Sequence, residues 1–188
     1  MVEPLNIREL GNNLLLTMDD GSTRTALRLP GELWVLQAPA DDPAPEPPAG
    51  DTFEFPAPLS EVTYEFRPPS RPTHAGMDFS GANSNYGKDM KAAGPGTVWK
   101  AGVHGGYGHT VIIDHGKGRF TLYGHMVTDS YTVRVGQQVV KGQKLGLVNN
   151  TGSSFGSHIH FETHEGGYKW YDSAVNPRQA LPRWNANP

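Results

Sequence analysis

Short runs rich in apolar and β-branched residues recur along the chain, and glycine-rich or polar breaks separate them. After residue 51 these runs are TVWKAG, HTVIIDH, FTLYGHM, YTVRV, QKLGLV and HIHFET. Runs of this length between turn-forming residues are typical of strands, and no segment of helical period and length competes with them. The pattern therefore predicts an all-β protein built on an antiparallel sheet.

A segment rich in proline and alanine, ADDPAPEPPAGD at residues 40–51, divides the chain. Such a segment cannot bury surface and favours extended polyproline II, which is typical of a linker. Before it, NNLLLTM and TRTALRL flank DDGS, whose Asp-Gly pair is a hairpin signal, and ELWVLQA is a third expected strand. We therefore expect a small β-hairpin module at residues 1–39 and the main domain at residues 52–188. So small a module needs a partner to be stable, either the main domain or further copies of itself.

Composition excludes several classes of function. The 188 residues carry a formal net charge of -3, and Lys and Arg are scattered without runs, so neither nucleic acid nor an anionic membrane is expected as a partner. No apolar stretch approaches the length of a membrane span, and MVEPLNIREL lacks the features of a secretion signal. Because the chain has no cysteine, any metal must be held by histidines and carboxylates.

Two histidines stand one residue apart in FGSHIHFET, residues 155–163. Side chains alternate between the faces of a strand, so His158 and His160 share one face, while Ile159 and Phe161 point to the other, which we expect to be the core side. An isolated pair of this kind is equally well explained by histidines exposed to solvent.

A second constellation is THAGMDFS, in which His74 and Asp78 lie four residues apart. A glycine between them and a proline just ahead favour an extended or looped segment over a helix. Alone, His74 could be an exposed loop residue and Asp78 could cap a turn. A catalytic zinc takes three nitrogen or oxygen ligands, so His74, Asp78 and one histidine of the His158 and His160 pair would suffice. The other histidine is then free for proton transfer.

Longer stretches of the chain resemble the lysostaphin-type, LytM-like zinc metallopeptidases, which are peptidoglycan endopeptidases. The resemblance runs from about residue 70 to residue 182 and rests on HAGMDF, GGYGHTVIIDHGKGRFTLYGHM, VRVGQQVVKGQKLGLVNNTGSSFGSHIHFE and VNPRQAL. It implies that His74, Asp78 and His160 bind Zn²⁺ and that His125 and His158 are catalytic histidines beside the metal. All five residues are present, whereas relatives that have lost zinc ligands act as regulators of other wall hydrolases.

The resemblance implies a zinc-dependent endopeptidase that hydrolyses peptide bonds in peptidoglycan cross-bridges or stem peptides. Such a zinc site polarises the scissile carbonyl and lowers the pKa of a bound water. His125 and His158 would share proton transfer and oxyanion stabilisation, in an order that the sequence leaves open. Glu162 shares the face of the strand that carries His158 and His160, and it is expected to orient a histidine. Four histidines off these motifs are expected to be polar loop or strand-end residues: His104, His109, His115 and His164.

The substrate of such an enzyme lies outside the cytoplasmic membrane, although no export signal is visible. A small β module, a proline-rich linker and a wall-cutting domain together are similar to phage lysins, including enzymes carried on virion tails. In that interpretation residues 1–39 dock on a particle or self-associate, and the enzyme is virion-associated or released by lysis. The alternative hypothesis is a non-catalytic wall-binding or virion structural module, and the complete set of site residues favours the enzyme.

Overall fold

The structure, a computed structural model, describes the main part of the chain at residues 52–81 and 85–186. In the N-terminal part it describes strand backbones at residues 4–10, 13–18, 23–27 and 35–36. The chain divides into two compact units, Met1–Glu46 and Pro47–Pro188.

The N-terminal unit contains a four-stranded sheet in sequential order. Its strands are β1 (Pro4–Leu10), β2 (Asn13–Met18), β3 (Thr23–Leu27) and β4 (Val35–Leu36). Strands β2 and β3 pair antiparallel, with Thr17 opposite Thr23. They coincide with the runs NNLLLTM and TRTALRL, while the DDGS turn lies outside the described residues. Strand β1 was not expected, although its alternation of apolar and polar residues in LNIR is a strand signal.

The main unit contributes ten further strands within its described residues. They are β5 (Val62–Tyr64), β6 (Met77–Phe79), β7 (Asp89–Lys91), β8 (Gly96–Val103), β9 (His109–Asp114), β10 (Phe120–Met126), β11 (Gln138–Val139), β12 (Lys144–Leu147), β13 (Ile159–His164) and β14 (Ala174–Val175). Eight of them form one sheet in the order β11-β8-β9-β10-β13-β6-β5, with β14 paired to β13, and β7 pairs with β12 separately. The described strand pairs are antiparallel, which confirms the expected all-β class.

Strand β13 separates the core from the candidate site. Ile159 and Phe161 lie in the hydrophobic core, where the Phe161 ring centroid is 5.4 Å from that of Tyr123. His160 and Glu162 project from the other face into a cleft. Truncating a ring as buried as that of Phe161 typically costs about 3–5 kcal/mol, so the core holds this strand firmly under the site.

A ten-residue helix, α1 (Pro177–Ala186), was not expected from the sequence. Its start has recognisable signals, because the Asn176 side chain accepts a hydrogen bond from the Arg178 backbone N–H at 3.0 Å and proline occupies the first helical position. Pro182 within the helix argues against a helix in the sequence pattern. Burial of Trp184 in the core compensates for that local cost. Within the described part of the chain, no helix has the length and apolarity that crossing a bilayer requires.

The expected strand at YTVRV is wrong. Residues 131–135 form no regular strand, and the pairing with β8 begins only at Gln138. Thr132 donates from its backbone N–H to Leu145 O at 3.0 Å and from its hydroxyl to Lys144 O at 2.7 Å. The segment therefore makes local contacts with β12 without a continuous ladder, and its β-branched residues alone did not reveal this.

Candidate metal-binding active site

A cleft of about 810 Å³ is lined by residues of β5, β6, β10 and β13 and of the loops beside them. The structure brings all five predicted site residues into this lining: His74, Asp78, His125, His158 and His160.

Strand pairing brings Asp78 and His160 together. They are direct partners on the neighbouring antiparallel strands β6 and β13, so their side chains emerge side by side on the cleft face. Asp78 Oδ1 lies 2.7 Å from His160 Nδ1, and both residues are about 95% buried, with 4% and 5% of their surface exposed. Gly76 permits the close approach, because a Cβ at that position would collide with the carbonyl oxygen of Phe161.

His74 reaches this pair from a turn that precedes β6. Its Nδ1 lies 2.9 Å from Glu65 O, and because a carbonyl can only accept, Nδ1 carries the ring proton. Its Nε2 therefore has a free lone pair, which lies 3.0 Å from Asp78 Oδ1 and 3.3 Å from His160 Nδ1. The three atoms therefore lie close enough together to face one metal ion.

The donor set fits a tetrahedral metal ion. Bonds of 2.0–2.1 Å to a tetrahedral zinc place two ligand atoms about 3.4 Å apart, close to the 2.7–3.3 Å separations of this group. His74, Asp78 and His160 form one group of side chains whose ligand atoms lie within 4.8 Å of one another, and His125, His158 and His160 form a second. The first group is wholly buried and contains a carboxylate, so it suits a divalent cation better.

A buried carboxylate lies behind His160, one of the candidate ligands. Glu162, which is 0% exposed, accepts hydrogen bonds from His160 Nε2 at 2.9 Å and Tyr107 Oη at 2.8 Å through Oε1. His164 Nε2 donates to the other carboxylate oxygen at 2.8 Å. With its Nε2 proton held there, His160 presents the Nδ1 lone pair to the cleft, which is the usual arrangement of a metal-ligating histidine.

His125 and His158 complete the cleft, and backbone carbonyls orient both rings. His125 Nδ1 donates to Thr151 O and His158 Nδ1 to Gly156 O, each at 2.7 Å. Their ring centroids are 4.7 Å apart, and His158 Nε2 lies 3.5 Å from Asp78 Oδ1. His125 has a φ of 60° at a register shift of β10, an uncommon backbone conformation for a residue with a side chain. The bulge turns its ring into the cleft.

The two carboxylates of the site, Asp78 and Glu162, shift the pKa of the His160 ring that lies between them. Burial would raise the pKa of Asp78, but hydrogen bonds that the three neighbouring histidines donate when they are protonated outweigh it and hold the pKa far below its usual range. Burial would lower the pKa of His160, but hydrogen bonds to Asp78 and Glu162 raise it to about 9, so without a metal ion the ring holds a second proton, on Nδ1, that a metal ion would displace. Burial and the neighbouring His160 lower the pKa of His125 to about 4, so its Nε2 is an acceptor at neutral pH.

The four other histidines do not line this cleft. His115, just after the end of β9, bonds to Pro95 O at 2.6 Å and Thr121 Oγ1 at 2.7 Å. His164, at the end of β13, is fully buried and hydrogen-bonded to Glu162. Its contact with the site was not foreseen.

The sequence analysis also missed Arg71, whose Nη1 lies 3.5 Å from Asp78 Oδ2. Its position three residues before His74 was the available signal. Two aromatic residues, Tyr107 and Phe155, also line the cleft.

An antiparallel β domain with this cluster of histidines and an aspartate is typical of the lysostaphin-type peptidase fold. The chain belongs to peptidase family M23, whose sequence profile matches residues 72–177.

Two solved structures illustrate the likeness. The catalytic domain of the antimicrobial peptidase lysostaphin from Staphylococcus simulans is 30% identical, with a TM-score of 0.52 over 58% of this chain and 79% of that one. The catalytic domain of the prophage-encoded M23 protein EnpA from Enterococcus faecalis, an A109H mutant, is 27% identical, with a TM-score of 0.54 over 69% and 97%.

Curated relatives include both hydrolases and an activator. The chain is 38% identical to the murein hydrolase activator EnvC of Escherichia coli over 53% of its length and 22% of the relative's. It is 36% identical to the peptidoglycan DD-endopeptidase ShyA of Vibrio cholerae over 47% and 20%. The chain therefore matches only about a fifth of the length of these relatives.

Proposed function

We propose that the chain is a zinc-dependent endopeptidase that hydrolyses peptide bonds in the cross-bridges or stem peptides of bacterial peptidoglycan. The observation that carries this proposal is the convergence of three buried ligand atoms beside two histidines whose Nε2 atoms remain available. The peptidoglycan DD-endopeptidase ShyA among the relatives supports the choice of substrate.

In this proposal His74 Nε2, Asp78 Oδ1 and His160 Nδ1 hold the metal, and Glu162 fixes the orientation of His160. Two imidazoles and one carboxylate are a ligand set that suits Zn²⁺. When bound, zinc supplies a Lewis acid that polarises the scissile carbonyl and makes a water acidic enough to attack near neutral pH.

His125 and His158 move the protons of the reaction. Each donates its Nδ1 proton to a backbone carbonyl, so in the neutral ring only Nε2 can accept a proton. Either ring can take the proton of the attacking water and return it to the leaving amine nitrogen. The ring that holds the proton also donates to the oxyanion that develops on the carbonyl oxygen.

The match to the activator EnvC favours a second candidate function, a domain that binds the wall or a partner without cleaving peptide bonds. In either case we expect the chain to act outside the cytoplasm, on the cell wall. A phage origin, and virion docking or self-association through residues 1–39, also stay predictions of the sequence, as do the boundaries at residues 39 and 51.

Mass spectrometry of fragments released from purified peptidoglycans of different cross-bridge chemistry tests the proposal. The zinc-loaded chain is incubated with and without chelator, and Asp78→Ala serves as the inactive variant. We expect chelator-sensitive fragments with new amino termini and no new reducing sugar ends. Intact walls of every type, with zinc bound to the protein, would overturn the proposal in favour of the non-catalytic domain.

A further inference from the structure

One edge of the cleft carries a fixed positive charge. Among the described residues that line the cleft, Arg71 is the one with a permanently cationic side chain. The segment 153–157, SSFGS, which also lines the cleft, contributes no charged side chain. The two sides of the cleft therefore differ in charge. The two carboxylates of the lining, Asp78 and Glu162, are buried beneath both sides.

Several contacts hold Arg71 in place. Two successive turns position its backbone, because its N–H donates to Pro68 O at 2.8 Å and its own carbonyl accepts from the His74 N–H at 3.0 Å. Its guanidinium carbon lies 4.9 Å from the ring centroid of Tyr64, a cation–π contact. The guanidinium is thus set at the cleft before any ligand arrives, which reduces the entropic cost of binding.

The charge of Arg71 is only partly used within the protein. Its one ion pair with a described residue, to Asp78 Oδ2, is long at 3.5 Å, and half of the arginine side chain is exposed. The nearby carboxylate of Glu65 makes three hydrogen bonds with Arg178, at 2.6–3.1 Å, which also lower the pKa of Glu65. Arg71 therefore has donors left for a carboxylate that enters the cleft.

We propose that Arg71 binds a carboxylate of the substrate beside the scissile bond and so selects acidic stem peptides over neutral chains such as glycyl bridges. This inference rests on the proposed function, because it concerns the peptide that the same cleft would cut. The planar guanidinium matches a carboxylate in two parallel hydrogen bonds, which a neutral bridge cannot accept in that form.

Matched peptides test this selection. The substrates are a cross-linked stem-peptide dimer with all carboxylates free and two versions in which either the terminal or the side-chain carboxylate nearest the scissile bond is amidated. For the zinc-loaded chain we expect kcat/KM to fall about 5- to 20-fold on amidation of one of the two, which identifies the carboxylate that is bound.

The variant Arg71→Gln should bring that ratio of free to amidated substrate close to one, and Arg71→Lys should keep part of it. Because each ratio is measured on one protein preparation, a change in metal content caused by the lost contact with Asp78 cancels. Arg134→Gln, which removes an exposed arginine outside the cleft lining, should leave the ratio unchanged.

Equal kcat/KM for all three peptides with the unmodified chain, or a ratio that survives Arg71→Gln, would overturn the inference while leaving the hydrolase intact. If no peptide is cleaved, the proposed function fails, and calorimetric binding of the same peptides decides about Arg71. Tighter binding of the free carboxylate that disappears in Arg71→Gln supports its role, and equal affinities overturn it.

Discussion

Two of the three candidate ligands, His160 and Asp78, differ from His125 and His158 in what holds them, while the third, His74, is oriented like those two by a backbone carbonyl, that of Glu65. His160 and Asp78 emerge from paired strands over the core, and buried side chains fix their donor atoms. His125 and His158 are oriented instead by loop carbonyls, and the side chain of His158 keeps 17% of its surface exposed.

This difference matches the two tasks of a metallopeptidase. A metal site needs donor atoms fixed to within a few tenths of an ångström before the ion binds, and a continuous network of side chains provides this. A proton carrier needs a nitrogen that can meet water and substrate, and a ring held only at Nδ1 leaves Nε2 free. Substitutions of the candidate ligands should therefore abolish metal binding, whereas substitutions of the two other histidines should reduce turnover while the metal stays bound.

The largest effect is expected from removing the carboxylate of Asp78, one of the three candidate ligands. Asp78→Ala should lose the metal, and its activity should fall to the level of the metal-free protein, because two imidazoles alone hold zinc weakly. Metal content by mass spectrometry and turnover are measured on the same preparation. Asp129→Ala, which removes an acid that is 86% exposed, should keep both. Stoichiometric zinc in Asp78→Ala would exclude Asp78 as a ligand.

The next effect concerns the proton carriers. His125→Ala should keep one metal per chain and lose turnover by about 10²–10⁴-fold, the usual contribution of general acid–base catalysis. Steady-state kinetics and metal analysis check this, with His109→Ala as a histidine substitution outside the cleft lining. Near-normal cleavage by His125→Ala would show that His125 has no catalytic role. Loss of the metal in this variant would show that His125, like Asp78, is needed for metal binding.

A smaller effect is expected from changing Glu162, which is hydrogen-bonded to the candidate ligand His160. Glu162→Gln should weaken zinc binding by about 10- to 100-fold, because the amide is a poorer acceptor for the His160 Nε2 proton and no longer balances the positive charge. Competition with a chelator of known affinity measures the change. An unaltered zinc affinity would mean that the buried carboxylate serves the fold alone.

The smallest effect is a change in stability with pH that comes from His115, a histidine outside the cleft lining. Burial lowers the pKa of His115 to about 4, against an ordinary value of 6.5. Between these values the unfolded chain binds the extra proton, so the stabilisation by neutral His115 is complete above pH 6.5 and declines as the pH falls toward 4. From pH 7 to 5 we expect a loss of about 1–2 kcal/mol in the free energy of unfolding.

Urea unfolding of the native chain and of His115→Gln at the two pH values checks this effect. The variant, which has no group to protonate at that position, should lose less stability on acidification. An identical pH dependence in both proteins would show that His115 does not titrate in this range.

The sequence was sufficient where the signal is local. The alternation in HIHFET predicted the two faces of β13, and the spacing in THAGMDFS placed His74 and Asp78 on one short segment. It was insufficient where contacts join distant segments, as when Tyr107 and His164 meet at Glu162. Helix α1 was not predicted because its stability comes from burying Trp184, whereas its local sequence contains Pro182, which disfavours a helix.

A zinc titration of the metal-free chain tests the central claim most directly, with activity on purified peptidoglycan followed at each step. The account predicts no activity without metal and a linear rise that ends at one equivalent of zinc per chain. Full activity in the metal-free protein, or none after one equivalent is bound at the site, would contradict it.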